Sequence, residues 1–512
     1  MKTRESLPEN QINPPNELVN SLKNQLVCKQ ETIDRMSTQI KNLHAVIDGF
    51  KREKFAPKSE AIHPGQGTLF NEPEVLVTDK KSHEELSPVK GYKKRKARKK
   101  TLSDTIPREQ KIIDLTPDQK ICSCGCEMKK IGEDVSEKVE YIPQKVKVIQ
   151  NIRPKYSCPK CKEKIVQEPA PKAIIQKSFA SESLLAAIIT AKYCDGLPLY
   201  RQESIWKRAG IELKRARMAH WMIKTAKELM PLYNLIKEHT FSWNVVHIDE
   251  TVVQVLKEEG RSAASKSYAW IAARADEKPS VYFEYHPSRS GKIAAEILDA
   301  YSGYVLTDGY RAYDVAMADR YKKHCGCWDH CRREFFKAYE AAKKDPSSLA
   351  AYALHYIRIL YLIERREKES SSSRRKIARS LYSKAVLDRL KSWMLRNIDK
   401  VPKTSNTGKA LHYMYGQWDK LTRFLESGDV PISNERAENS IRPFVIGRKA
   451  WLFSDTVDGA DASMCLYTIV ETAKANGHEP FHYYTRILTK IPYCKTIEDY
   501  EALLPWNLNP EN

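Results

Sequence analysis

Apolar residues near the start of the chain recur at alternating three- and four-residue steps: Val19, Leu22, Leu26, Ile33, Met36, Ile40, Leu43, Ile47 and Phe50, with Lys29 alone breaking the seam. A period of 3.5 residues held over more than four heptads predicts a coiled coil. Pro14-Pro15 before it and Pro57 after it bound an arm over residues 15–55. The alternative is an amphipathic helix packed on its own protein. Residues 56–106 carry few large apolar side chains and predict a linker. From residue 107 to 168 the pattern is strand-like, with segments 139–142 and 145–152 between two cysteine turns. Residues 169–240 read as helical: 181–193 is apolar-periodic, then 199–209, Gly210 and 213–229 have the layout of helix, turn, helix.

The texture changes again at residue 243. Runs 244–256, 267–274, 280–285 and 303–307 alternate or are β-branched, and 291–300 reads as a helix before the last of them. Three strands, a helix and a further strand predict the opening of a ribonuclease-H-like α/β domain over 241–480. A helical insertion over about 340–428 carries the polar interruption 367–375 (EKESSSSRR), and a C-terminal segment covers 481–512. The expected fold class is therefore multidomain α/β. Its ribonuclease-H-like core follows a coiled coil, a small zinc-binding β module and a helix-turn-helix-like region.

Charge narrows the possible partners. Lys and Arg number 86 against 65 Asp and Glu, a formal net charge of +21. Such an excess favours nucleic acid or an anionic membrane. No apolar run approaches the ~20 residues that span a bilayer, and the N-terminus has no apolar signal region. The expectation is a cytoplasmic, nucleoid-associated protein with no membrane contact. Residues 90–100 (KGYKKRKARKK), with Lys93, Lys94, Arg95 and Lys96 at their centre, predict sequence-independent phosphate contacts. Lys214, Arg215 and Arg217 on the second helix of the helix-turn-helix layout would face a DNA groove, unless they form an ordinary solvated face.

Twelve cysteines in a cytoplasmic chain point to thiols or metal ligands rather than disulfides. Cys158 and Cys161 have CxxC spacing, and Cys122, Cys124 and Cys126 form a CxCxC turn. Two knuckles separated by strands can hold one structural Zn²⁺ on four thiolates. Cys122, Cys124, Cys158 and Cys161 are the preferred set, with Cys126 competing for the place of Cys124. Residues 324–336 (HCGCWDHCRREFF) look cramped for a second zinc site on one helix. They are read as structural, with Arg332 and Arg333 contacting phosphates.

Three carboxylate segments carry the chemistry: 244–251 (NVVHIDET), 305–313 (VLTDGYRAY) and 433–453 (SNERAENSIRPFVIGRKAWLF). Asp249 and Asp308 stand at or just past strand-like runs, and a Glu follows on a helix. Such a set can hold two Mg²⁺ or Mn²⁺ ions that act on a phosphodiester. Glu435 and Glu438 compete for the third place, and Asp308 can simply open a turn. Arg442, Arg448 and Lys449 would flank the phosphate.

The chain resembles transposases of the insertion-sequence-sixty-six family, bacterial DDE enzymes. The likeness runs through FAPKSEA (55–61), GTLFNEPE (67–74), residues 131–161 ending in YSCPKC and KYCDGLPLYRQE (192–203). It continues through HIDET, SRSG (288–291), TDGYRAYD, CWDHCRREF, SNERAENSIRPFVIGRKAWLF and LLPWN (503–507). The resemblance implies an acidic triad of Asp249, Asp308 and Glu438, thus Glu438 over Glu435. It also implies binding of the element's terminal inverted repeats, strand cleavage and transfer to target DNA, a homo-oligomer paired through the coiled coil, and accessory proteins of the same element. The chain departs from the family pattern at SNE-R-A-EN, where DNN-x-x-ER is usual, and at its first cysteine knuckle. The competing functions are a noncatalytic DNA-binding regulator derived from a transposase and a metal-dependent nuclease without strand transfer.

Overall fold

The computed structural model describes residues 29, 146–157 and 165–510. All but residue 29 belong to the larger of two units, Leu76–Asn512. The heptad arm, the basic run with Lys93 to Lys96, and all five cysteines of the two knuckles lie outside the described residues.

Strands β1 (Lys155–Ser157) and β2 (Ile165–Gln167) form an antiparallel hairpin. Residues 146–152, the described part of the 145–152 run read from sequence as strand-like, have no regular structure. Val148, Ile149 and Ile152 are exposed there, and no strand among the described residues pairs with them. Four helices follow: α1 (Glu182–Tyr193), α2 (Leu199–Arg208), α3 (Arg215–Glu228) and α4 (Met230–Phe241). Ser181 caps α1 by accepting the Leu184 N–H at 3.2 Å. Gly210, at φ +86°, makes the turn between α2 and α3. This region does not stand apart. Leu185, Ile189, Trp221, Met222 and Ile236 share one buried apolar cluster with the sheet that follows.

That sheet holds β3 (Val245–Lys257), β4 (Lys266–Arg274), β5 (Ser280–His286), β6 (Gly303–Thr307) and β7 (Lys322–Gly326) in the order β5-β4-β3-β6-β7. The pairings β3–β4 and β4–β5 are antiparallel, and β3–β6 and β6–β7 are parallel. Helix α5 (Gly291–Ile297) precedes β6 and the short α6 (Tyr313–Ala316) follows it. The strands fall close to the sequence expectation because β-branched and aromatic runs fill both faces of a sheet covered on both sides.

Helix α7 (Trp328–Ala341) leads into the insertion: α8 (Leu349–Arg366), α9 (Ser372–Ala378), α10 (Lys384–Asn397), α11 (Asn406–Gly416) and α12 (Trp418–Thr422). The polar interruption ends sooner than its composition predicts. Ser371 caps α9 by accepting the Arg374 N–H, so residues 372–375 are helical. These helices enclose a second core of Trp328, Phe335, Ile357, Leu390, Leu411 and Phe424, which meets the sheet at Val245, Leu306 and Cys325.

Helix α13 (Glu435–Trp451) continues through Pro443, and β8 (Ser454–Thr456) pairs in parallel with the end of β3. Helix α14 (Val457–Ala475) is buried over most of its circumference. Its Thr472 hydroxyl accepts the Val281 N–H (3.1 Å) and donates to the Val281 carbonyl (3.0 Å), while Thr468 accepts the Phe283 N–H (2.8 Å). Two threonines thus satisfy the open edge of β5, which would otherwise be buried without partners. Helices α15 (Pro480–Lys490) and α16 (Ile497–Glu501) close the fold. No described helix is long and apolar enough to cross a membrane.

Candidate active site

The parallel pairing of β3 with β6 sets Val245 against Tyr304, Val246 against Val305 and His247 against Leu306. Carried two residues further, this register brings Asp249 level with Asp308, at the point where β6 ends. The switch point of the sheet lies between β3 and β6, since the chain runs from β3 to β4 and β5 on one side and from β6 to β7 on the other, and open α/β sheets bind ligands at such a point. Asp308 does open a turn, since its carboxylate accepts the Tyr310 N–H at 2.9 Å. Gly309 is required beside it, because a Cβ there would lie 2.6 Å from the Tyr413 hydroxyl of α11.

Asp249 accepts the Glu250 N–H at 2.8 Å. Burial pushes its carboxyl well above the usual carboxylate range, and the charges of Glu250, Asp308 and Glu438 add to the shift. Glu438 comes from the first turn of α13, with its side chain 8% exposed. Its carboxylate lies 3.5 Å from His330 Nδ1 and 3.6 Å from Arg333 Nη2, and the Cys327 thiol donates to it at 4.0 Å. Burial lifts its pKa to about 7; Arg333 opposes that shift, while Asp329, Glu435 and Asp308 reinforce it. Glu435, the other contender, accepts from Asn439 on the same helix at 3.1 Å.

Among the described residues, Cys327, His330 and Glu438 form the one group of His, Cys, Asp or Glu whose ligand atoms lie within 4.8 Å of one another. The motif around them is not cramped into one helix. His324 and Cys325 belong to β7, Cys327 precedes α7, and His330 and Cys331 lie on it. Cys325 and Cys331 are core residues. Arg332 is buried against the Phe336 ring, and Arg333 turns to Glu438.

Asn434 was not singled out in the sequence. It is 1% exposed at the start of α13. Its Nδ2 donates to the Ile248 carbonyl, and its Oδ1 accepts from His247 Nδ1, both at 2.9 Å. Its backbone N–H donates to Cys327 Sγ at 3.2 Å, and its carbonyl accepts the Glu438 N–H at 3.2 Å. With Nδ2 committed to a carbonyl, Oδ1 must face the imidazole, so Nδ1 carries the ring proton. Burial lowers the His247 pKa to about 4, with Asn434 opposing and Arg436 assisting, which keeps the ring neutral. One side chain thus ties the Glu438 helix to the strand carrying Asp249.

Glu250 was missed as well. Its side chain is 5% exposed, 3.1 Å from Arg289, and accepts from the Tyr313 hydroxyl. Arg289 stacks on the Tyr310 ring with its guanidinium 3.8 Å from the centroid. This network joins the SRSG loop to the turn after Asp308. A carboxylate directly after Asp249 in a half-buried strand was the available signal, since alternation sends it to the opposite face.

The remaining candidates are spread over the fold. Lys214, Arg215 and Arg217 are exposed at the start of α3. Lys214 pairs with Glu212 at 3.1 Å, and Arg217 lies over the Phe179 ring. Arg442 donates to Asn439 at 2.9 Å. Arg448 is half-buried and donates to the Thr251 hydroxyl (3.1 Å) and to the Val252 carbonyl, while Lys449 is exposed.

Comparison with known families covers most of the chain. The model of the transposase IS66 family matches residues 177–462. The zinc-finger binding domain of transposase IS66 matches 119–162, and the IS66 C-terminal element matches 468–506. The model described as transposase C of IS166 homeodomain matches 42–110. Among curated proteins, the chain is similar to the uncharacterized protein y4qI of Sinorhizobium fredii, 30% identical over 506 residues, 95% of this chain and 92% of the relative. It is also similar to y4jD of the same organism, 29% identical over 499 residues, 93% of this chain and 96% of that one.

Proposed function

The chain belongs to the transposase IS66 family, and on that premise we propose that it binds the terminal inverted repeats of an insertion sequence and carries out DNA strand cleavage and strand transfer at Asp249, Asp308 and Glu438. The observation that carries this reading is the β3–β6 register, which levels Asp249 with Asp308 while their charges and that of Glu438 act on one another. The sheet order, three antiparallel strands followed by two parallel ones, supports a ribonuclease-H-like core.

The donor set fits hard divalent ions such as Mg²⁺ or Mn²⁺. The three proposed ligands are carboxylates, and the Cys327 thiol and the His330 imidazole lie beside one of them, Glu438. Two such ions, when bound, supply Lewis acidity to the attacking and leaving oxygens of the phosphodiester. The chain does the positioning. Asn434 holds Glu438 to the strand of Asp249, Arg333 offsets the Glu438 charge, and the Glu250–Arg289–Tyr313 network fixes the turn of Asp308. The exposed Lys214, Arg215 and Arg217 on α3, with the basic run Lys93–Lys96, serve as DNA contacts. Cys122, Cys124, Cys158 and Cys161 are the proposed ligands of one structural Zn²⁺, in a segment that matches a zinc-finger domain. The heptad arm pairs protomers so that two element ends meet.

The test is a labelled duplex carrying one element end, incubated with the protein and Mg²⁺ beside the Asp308→Ala variant. Cleavage or joining by the parent alone, with binding kept by both, supports the reading. Cleavage without joining when a 3′-hydroxyl end is supplied identifies a nuclease. Equal cleavage by both refutes the assignment of Asp308.

A further inference from the structure

The helix that carries Glu438 ends in a strained turn with an exposed apolar tip. Four non-glycine residues among those described have positive φ: Lys177, Lys343, Lys344 and Leu452. Leu452, at φ +67° and ψ −51°, lies outside the left-handed helical basin. Its neighbours close a three-residue ring, with the Phe453 N–H donating to the Trp451 carbonyl at 2.9 Å. This is the strained form of γ-turn, which glycine adopts without a Cβ penalty and leucine does not.

The strain gains no burial. Leu452 is 62% exposed and Phe453 44% exposed, and Ile446 on the preceding turn of helix is 56% exposed. Both arms of the turn are anchored. The Leu452 N–H donates to the Arg448 carbonyl at 2.7 Å, and Arg448 is itself bonded to Thr251 and Val252 of β3. On the exit side, β8 pairs with Val255 and Lys257, and Lys257 holds Asp455 at 2.8 Å. A rigid frame thus presents two large apolar side chains to solvent, beside the exposed Lys449. Backbone strain kept where no packing rewards it marks a contact with something else.

We propose that Leu452 and Phe453 form an apolar wedge that unstacks base pairs of the element-end duplex. The inference rests on the reading of Asp249, Asp308 and Glu438 as a DNA-strand chemistry site. From Asp249 to Val255, the strand residue paired beside the turn, extended chain covers about 20 Å. From Glu438 to Leu452, helix covers about 21 Å. Both routes put the tip about 20 Å from the carboxylates, so a duplex lying along α13 would meet it about six base pairs from the scissile phosphate, at 3.4 Å per step. Apolar side chains inserted between base steps kink duplex DNA, and a stacked base tolerates any sequence. Lys449, next to the tip, would meet the phosphate of the opened step.

The experiment uses the full chain and an end duplex with 2-aminopurine stepped through the positions around the sixth base pair from the cut. The parent should raise the probe's fluorescence at one or two adjoining positions. Leu452→Gly removes the strained half of the wedge and relieves the strain together. It should melt at or above the parent's temperature, lose most of the fluorescence rise, and bind the end about ten-fold more weakly. Its cleavage of the matched end should fall about ten-fold, and a mismatch at that step should restore it. Phe453→Ala should lose part of the rise while remaining folded. A parent that cleaves the end without brightening any position overturns the wedge and leaves the strand-chemistry reading standing, as does a Leu452→Gly variant with an unchanged rise. A parent that neither binds nor cleaves DNA overturns both.

Discussion

Replacing Asn434 by Ala should damage the site in a way that can be followed from the bonds it makes. The side chain is 1% exposed and holds two hydrogen bonds at 2.9 Å, one to the Ile248 carbonyl and one from His247. Alanine leaves a buried carbonyl and a buried imidazole N–H without partners. Each such orphan costs about 1–3 kcal/mol, so the expected loss of stability is about 2–4 kcal/mol once partial hydration is allowed for. The catalytic effect should exceed the global one, because the same residue joins β3 to the first turn of α13. Asp249 and Glu438 would lose their fixed separation, and the requirement for divalent ion should rise about ten-fold or more. Denaturant unfolding measures the first effect, and Mg²⁺ titration of strand cleavage the second. Asn434→Asp separates volume from hydrogen bonding. It keeps the acceptor for His247 but cannot donate to Ile248, and it adds a negative charge beside Asp249 and Glu438, so it should be the worse variant. An Asn434→Ala protein that unfolds within about 0.5 kcal/mol of the parent, the usual range for inconsequential surface changes, and needs no more Mg²⁺ would refute the reasoning.

Other expectations follow from the same geometry. Asp249→Asn, Asp308→Asn and Glu438→Gln should each abolish strand chemistry while gel-shift binding of an end duplex persists. Because burial raises the Glu438 pKa from 4.5 to about 7, its contribution to metal-free stability is complete below about pH 4.5 and is lost as pH rises through about 7. Thermal melts in chelator should show that decline, and Glu438→Gln should reduce it, leaving the part due to Asp249. Arg289→Ala leaves the Glu250 carboxylate supported by Tyr313 alone. Arg289 is 39% exposed, so the cost is discounted from that of a fully buried pair to about 1–2 kcal/mol, read by denaturant unfolding. Cys158→Ser should release Zn²⁺, measured by a colorimetric chelator, and weaken end binding.

The strands around Asp249 and Asp308 were legible because β-branched runs bounded by turn residues have few other uses. The existence of α13 was legible too, though not its passage through Pro443. The register that levels the two aspartates was not legible, since pairing offset depends on partners distant in sequence. Asn434, Glu250 and the edge-capping Thr468 and Thr472 were hidden for a related reason. Each is a polar residue made important by burial, and sequence pattern marks polar residues as exposed. Residues 146–152 failed in the opposite sense, with a strand-like pattern but no strand pairing among the described residues. The serine run at 370–373 was read as interruption, whereas Ser371 is a helix cap; composition alone cannot distinguish the two.

Asp249, Asp308 and Glu438 are proposed to hold together the divalent ions of a strand-chemistry site. The most direct test is to count Mn²⁺ bound to the complex of the full chain with an end duplex, by electron paramagnetic resonance, in the parent and in Asp308→Asn. Two ions per DNA-bound active site are expected in the parent, with the loss of at least one in the variant. The same count in both proteins, with DNA binding intact, would contradict the proposal.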